Sequence, residues 1–76
     1  MSVQILYFAS LRERMGRAGD TLDADVTNVA QAWARASGNR PLPLNTLVAV
    51  NRQYAGLDDA VRDGDEVAFF PPVTGG

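Results

Sequence analysis

Few residues in this chain could do chemistry, and its last two are the ones it is built to present. There is no Cys and no His, and all seven basic residues are Arg. The side chains therefore offer no thiolate, no imidazole base and no lysine amine for a Schiff base or an isopeptide bond. With no Cys or His ligand set, we expect no metal site. Nine carboxylates remain, but no spacing among them suggests an enclosed acid–base pair. What remains is Asp, Glu, Arg, Tyr, the hydroxyls and the two chain termini. Gly75 and Gly76 have no side chains, so a carboxylate there could thread a channel too narrow for any Cβ.

The run before the glycines is built to present them. Pro71 and Pro72 have no N–H to donate, which should stop sheet pairing at Phe70. Each proline also holds the residue before it in extended or polyproline II geometry. The chain is expected to leave its body straight. From Pro71 to Gly76 it could reach roughly 20 Å, at about 3.3–3.6 Å per residue. The expected organisation is one domain over residues 1–70 and an extended tail over 71–76. In that tail Pro71, Pro72, Val73, Thr74 and Gly75 are expected to thread a partner's pocket with the Gly76 carboxylate at the tip.

The elements that must hold this tail follow from periodicity. Ser2 to Ala9 reads as a strand with Val3, Ile5 and Tyr7 on one face and Gln4, Leu6 and Phe8 on the other. Ser10 to Met15 predicts one helical turn, with Ser10 as N-cap, Glu13 at capping-box spacing, and Leu11 and Met15 inward. Thr21 to Val26 is a weaker second strand. Asn28 caps a clear helix whose stripe is Val29, Ala32, Trp33 and Ala36, ended by Gly38. Thr46 to Val50 and Gln53 to Ala55 are strands about an Asn51-Arg52 turn. Leu57 and Val61 are expected as buried pegs in an acidic connector. After a turn at Asp63-Gly64 comes the last strand, Glu66 to Phe70, with Val67 and Phe69 inward. One helix crossing between strands can make the first strand pair in parallel with a later one. The plan is α+β: a mixed sheet of four to five strands with one main helix on one face. This is the β-grasp, ubiquitin-like arrangement, with first and last strands central and the tail protruding from the middle.

Phe70 is the candidate centre of a partner-binding patch, with Phe8 and Tyr54 beside it, because a body that presents a tail must also be gripped. For Phe8 and Tyr54 the competing expectation is core packing. The net charge of −2 argues against nucleic acid as the partner. No apolar run approaches the roughly 20 residues of a membrane span, so the cytoplasm is the expected location.

At this point the residues resemble a known family, the small sulfur-carrier subunits of molybdopterin synthase. The similarity spans essentially the whole length. It is carried by Asp63 to Val67 (DGDEV), Val67 to Gly76 (VAFFPPVTGG), Tyr7 to Glu13 (YFASLRE) and Ala49 to Asn51 (AVN). The resemblance implies that an adenylyltransferase like the ubiquitin-activating proteins spends ATP on the carboxylate of Gly76. The product becomes a thiocarboxylate. The tail then enters the large subunit of the synthase and gives its sulfur to cyclic pyranopterin monophosphate, in a complex of two small and two large subunits. On this reading the chain binds no cofactor and catalyses nothing alone. The alternatives are a sulfur carrier for thiamine or cysteine synthesis, a ubiquitin-like protein modifier, and a plain interaction module whose tail is irrelevant.

Overall fold

The computed structural model describes residues 1–72. In chain order the elements are β1 (Val3–Tyr7), α1 (Ser10–Met15), β2 (Gly19–Leu22), α2 (Val29–Ser37), β3 (Leu47–Val50), β4 (Gln53–Ala55) and β5 (Glu66–Phe70). The five strands form one sheet in the order β2-β1-β5-β3-β4. Only β1 and β5 are parallel, with Ile5 opposite Val67 and Tyr7 opposite Phe69. The expected mixed sheet with a central first and last strand is what the chain forms.

Alternation writes the core. Val3, Ile5 and Tyr7 from β1 and Val67 and Phe69 from β5 are almost wholly buried. Against them lie Val29, Ala32 and Trp33 from α2. The Trp33 ring meets Phe69 edge-on at 5.0 Å and Tyr7 at 6.3 Å, and its Nε1–H donates to the Arg40 carbonyl at 2.7 Å. The α2 caps match the sequence expectation. Asn28 Oδ1 accepts from the Gln31 N–H at 2.9 Å, and Gly38 ends the helix in the left-handed region.

Tyr7 reaches past the core edge to a polar clamp. Its hydroxyl donates to Asp20 Oδ2 at 2.9 Å, and Arg17 Nε donates to the same oxygen at 2.7 Å. Arg17 also donates to the carbonyls of Met15 and Ala36, so it ties the α1–β2 turn to the end of α2. Burial pushes the Tyr7 hydroxyl well above the usual phenol range, and the Asp20 bond adds to the shift. This hydroxyl stays protonated as a structural donor.

Three local expectations are corrected. The helix at Ser10 begins one residue earlier than its proposed cap implies. Ala9 is the N-cap, at φ 51°, and no side chain caps the helix. A positive φ at alanine is sterically unfavourable, and the tight reversal after β1 is held by the Leu11 N–H donating to the Phe8 carbonyl at 3.1 Å. The second strand runs over Gly19–Leu22, not Thr21 to Val26, because pairing with Leu6 and Ile5 defines it. A Cβ at Gly19 would collide with the Ile5 carbonyl oxygen, so glycine permits this approach. Val61 is buried as expected, but Leu57 is exposed.

The β3–β4 hairpin turns through Asn51 and Arg52, both at positive φ (51° and 69°). Two such residues make the turn type that suits the twist of a hairpin, and it favours Asn-Gly. Arg52 occupies the glycine position. Replacing it with Gly removes a left-handed penalty of about 1–2 kcal/mol and adds an unfolded-state entropy cost of about 0.5–1 kcal/mol. Arg52→Gly is therefore expected to raise the urea midpoint slightly, with a net gain of about 1 kcal/mol or less.

Candidate functional site

The root of the tail is firmly anchored backbone. β5 is hydrogen-bonded on both sides, to β1 and to β3. Its entry is pinned by Asn51, whose N–H donates to the Glu66 carbonyl at 2.8 Å. The Asn51 side chain accepts from the Glu66 N–H and donates to Asp65 Oδ1, each at 2.9 Å. The bond from Asn51, and a second from the Arg62 N–H, hold the Asp65 carboxyl below its usual range. Sequence reasoning placed Asn51 in a turn without a further task. The structure shows it closing the hairpin onto β5.

Pairing ends at Phe70, as the prolines require. Pro71 is half-buried and Pro72 exposed. The remaining expected tail residues, Val73, Thr74, Gly75 and Gly76, lie outside the described residues.

One sheet face packs on α2; among the described residues, no element of this chain covers the other. Register sets Leu6 beside Ala68, Ala68 beside Ala49, and Ala49 beside Tyr54 in one row across this outer face. In the next row, toward the tail, Phe70 lies beside Leu47. Tyr54 and Phe70 are joined, with ring centroids 6.0 Å apart and planes tilted by 44°. Phe8 follows β1 on the other side of β5, where its N–H donates to the Phe69 carbonyl at 3.1 Å. Phe8 is 48 % and Tyr54 77 % exposed, so both belong to the surface and not to the core. Phe70 is half-buried.

The apolar part of this face is at the tail end. At the opposite end the paired residues are Thr21, Gln4 and Glu66. The two alanines in the middle row keep the floor low between Leu6 and Tyr54. Sequence reasoning found the three aromatics and passed over Leu47, Ala49 and Ala68. Their alternation within β3 and β5 was the available signal. The arrangement is a rigid apolar platform beside a fixed exit for the chain. It has the character of a docking face and not of a catalytic pocket.

The family model described as "ThiS family" matches residues 5–76. The molybdopterin synthase sulfur carrier subunit of Escherichia coli K12 is 41 % identical over 80 aligned positions, covering 97 % of this chain and 99 % of the relative. Among solved structures, SAMP1 from Haloferax volcanii superimposes with a TM-score of 0.83 at 30 % identity, with both chains fully covered. A Helicobacter pylori complex of subunits 1 and 2 of molybdopterin-converting factor contains a chain of the same fold, with TM-score 0.67, 21 % identity and full coverage of both chains. By its family match and its full-length similarity to the E. coli subunit, this chain belongs to the ThiS family, among the sulfur carrier subunits of molybdopterin synthase.

Proposed function

We propose that this protein carries sulfur on the carboxylate of Gly76 and delivers it, as the small subunit of molybdopterin synthase, to cyclic pyranopterin monophosphate. The observation that carries the reading is the central β5 strand. It runs into Pro71-Pro72 beside an apolar platform, in a chain similar over its full length to molybdopterin synthase sulfur carriers.

The chemistry divides between partners. A ubiquitin-activating-like adenylyltransferase joins the Gly76 carboxylate to the α-phosphate of ATP, and pyrophosphate leaves. Hydrosulfide (HS⁻) then attacks the acyl carbon, AMP leaves, and a thiocarboxylate remains. Transfer to the pterin takes place in the large subunit, so this chain needs no base, nucleophile, metal or bound cofactor of its own. Val73, Thr74 and Gly75 thread with Pro71 and Pro72, while Phe70, Tyr54 and Phe8 dock. The cytoplasm is the compartment we assign.

The direct test is intact-protein mass spectrometry after incubation with ATP, a sulfur source and the activating enzyme. A mass gain equal to sulfur replacing oxygen, localised to the C-terminal peptide, is expected. No gain with a verified active enzyme would overturn the reading. Isopeptides of Gly76 on other proteins in a digest would instead indicate a modifier.

Phe70→Ala tests the platform. Deleting a central apolar anchor typically costs 2 kcal/mol or more in binding, about a 30-fold rise in Kd. Titration calorimetry with the large subunit should show this loss with thermal unfolding little changed. A variant that unfolds while its folded fraction binds normally would place Phe70 in the core instead.

A further inference from the structure

The outer sheet face accounts for one flank of the tail root. The other flank, on the helix side, has its own shape and charge. Two hollows there, of about 270 and 220 Å³, share Leu11, Arg14 and Pro43 and so form one trough. Its far end lies against Trp33 and Arg40. Its near end reaches Pro71 and Pro72, where the tail departs.

The floor is apolar, with Leu11 and Trp33 presenting the edges of core side chains. Leu44, on the near wall, is 92 % exposed, an aliphatic side chain left in water beside the tail root. The rim is cationic. Among the described residues the only ion pair is Arg17 with Asp20, so neither Arg14 nor Arg40 is matched by a carboxylate. The Arg40 guanidinium has only a long bond of 3.3 Å to the Arg14 carbonyl and a 3.9 Å contact with Met15 Sδ. Glu13 lies on α1 and Asp20 is taken up by Arg17 and Tyr7, while further acidic groups lie at the opposite end of the sheet. There Asp63 accepts from the Ser2 N–H, and Asp65 and Glu66 open β5.

We propose that this trough is a second grip for the protein that receives the tail, and that it takes an apolar segment of that protein bearing a carboxylate between Arg14 and Arg40. Three observations converge on this occupant. Guanidinium groups match carboxylates in planar geometry. The apolar floor and Leu44 call for aliphatic or aromatic neighbours and disfavour a bare phosphate chain, as does the net charge of −2. The trough opens at Pro72, so any protein that closes around the tail covers its mouth. The grip deepens the sulfur-carrier reading and rests on it.

The test is titration calorimetry of the intact chain against the molybdopterin synthase large subunit, at low and high salt. Arg14→Glu combined with Arg40→Glu should weaken binding roughly tenfold or more. The wild type should lose more affinity to salt than this variant does. Both side chains are exposed. The backbone bonds of Arg40 to Ser37 and Trp33 are independent of its side chain, so thermal unfolding should be unchanged. Leu44→Ser provides an uncharged check, with a few-fold weaker binding expected. Wild-type binding with both variants unaffected overturns the grip and leaves the carrier reading intact. Failure of the wild type to bind overturns both. Inorganic phosphate binding at the trough without an effect of either variant on the large subunit would make it an anion site and overturn the protein grip.

Discussion

A chain carrying one extra residue after Gly76 is expected to transfer no sulfur while unfolding at the same temperature as the parent. The extension moves the carboxylate by about 3.5 Å, and a misplacement of about 1 Å can already cost 10²-fold in rate. A loss greater than about 10²-fold in single-turnover sulfur transfer is therefore expected. The body should not register the change, because sheet pairing ends at Phe70. Adding Gly and adding Ala separate two causes. Both displace the reacting group, but only Ala brings a Cβ to the tip. If Gly is tolerated and Ala is not, channel width governs and length does not. Full activity of both would remove Gly76 from the mechanism.

Trp33→Ala should be the most damaging single change to the body. It empties the site where α2 meets Tyr7 and Phe69 and deletes the bond that holds the Arg40 carbonyl. Truncations of this size cost about 3–5 kcal/mol. Small domains hold total stabilities near the low end of 5–15 kcal/mol, so a large part of the variant is expected to be unfolded. Urea titration followed by far-ultraviolet circular dichroism measures this, since the chain's one tryptophan is lost. Trp33→Phe should keep much of the packing and forfeit mainly the hydrogen bond, about 1–3 kcal/mol. A loss below about 1 kcal/mol for Trp33→Ala would mean that α2 can collapse onto the sheet without its anchor.

Which parts of this fold are visible in the sequence depends on how local their causes are. The helix α2 is legible because Asn28, the Val29–Ala32–Trp33 stripe and Gly38 all act within a few residues. The strands β1 and β5 are legible from alternation, but for Phe8 and Tyr54 the sequence left surface and core both open, and the structure places them on the surface. The start of α1 is not, because Ala9 adopts its unusual backbone to reverse the chain after β1. Nor is β2: Gly19 and Asp20 are poor strand formers, and only their pairing with β1 makes them a strand. Leu57 looks like a peg and is half in water, while its backbone carbonyl accepts from the Ala30 N–H at 3.0 Å. The Arg14–Arg40 trough depends on the loop after Gly38 lying against α1, a relation that no spacing in the sequence announces.

The parallel pairing of β1 with β5 also has a consequence for biogenesis. The two central strands come from opposite ends of the described chain, so the loop that must close to join them is nearly as long as the domain. Such contacts slow folding, because chain entropy is lost before the contact rewards it. During synthesis β1 can pair with β2 on one edge, but its other edge stays unpaired until β5 has left the ribosome. The strand that completes the sheet also carries the tail, so a nascent chain cannot offer the tail before its body can close. An activating enzyme that grips the body therefore meets no half-made carrier. A release assay on arrested ribosomes should find protease resistance arising only after Phe70 has emerged.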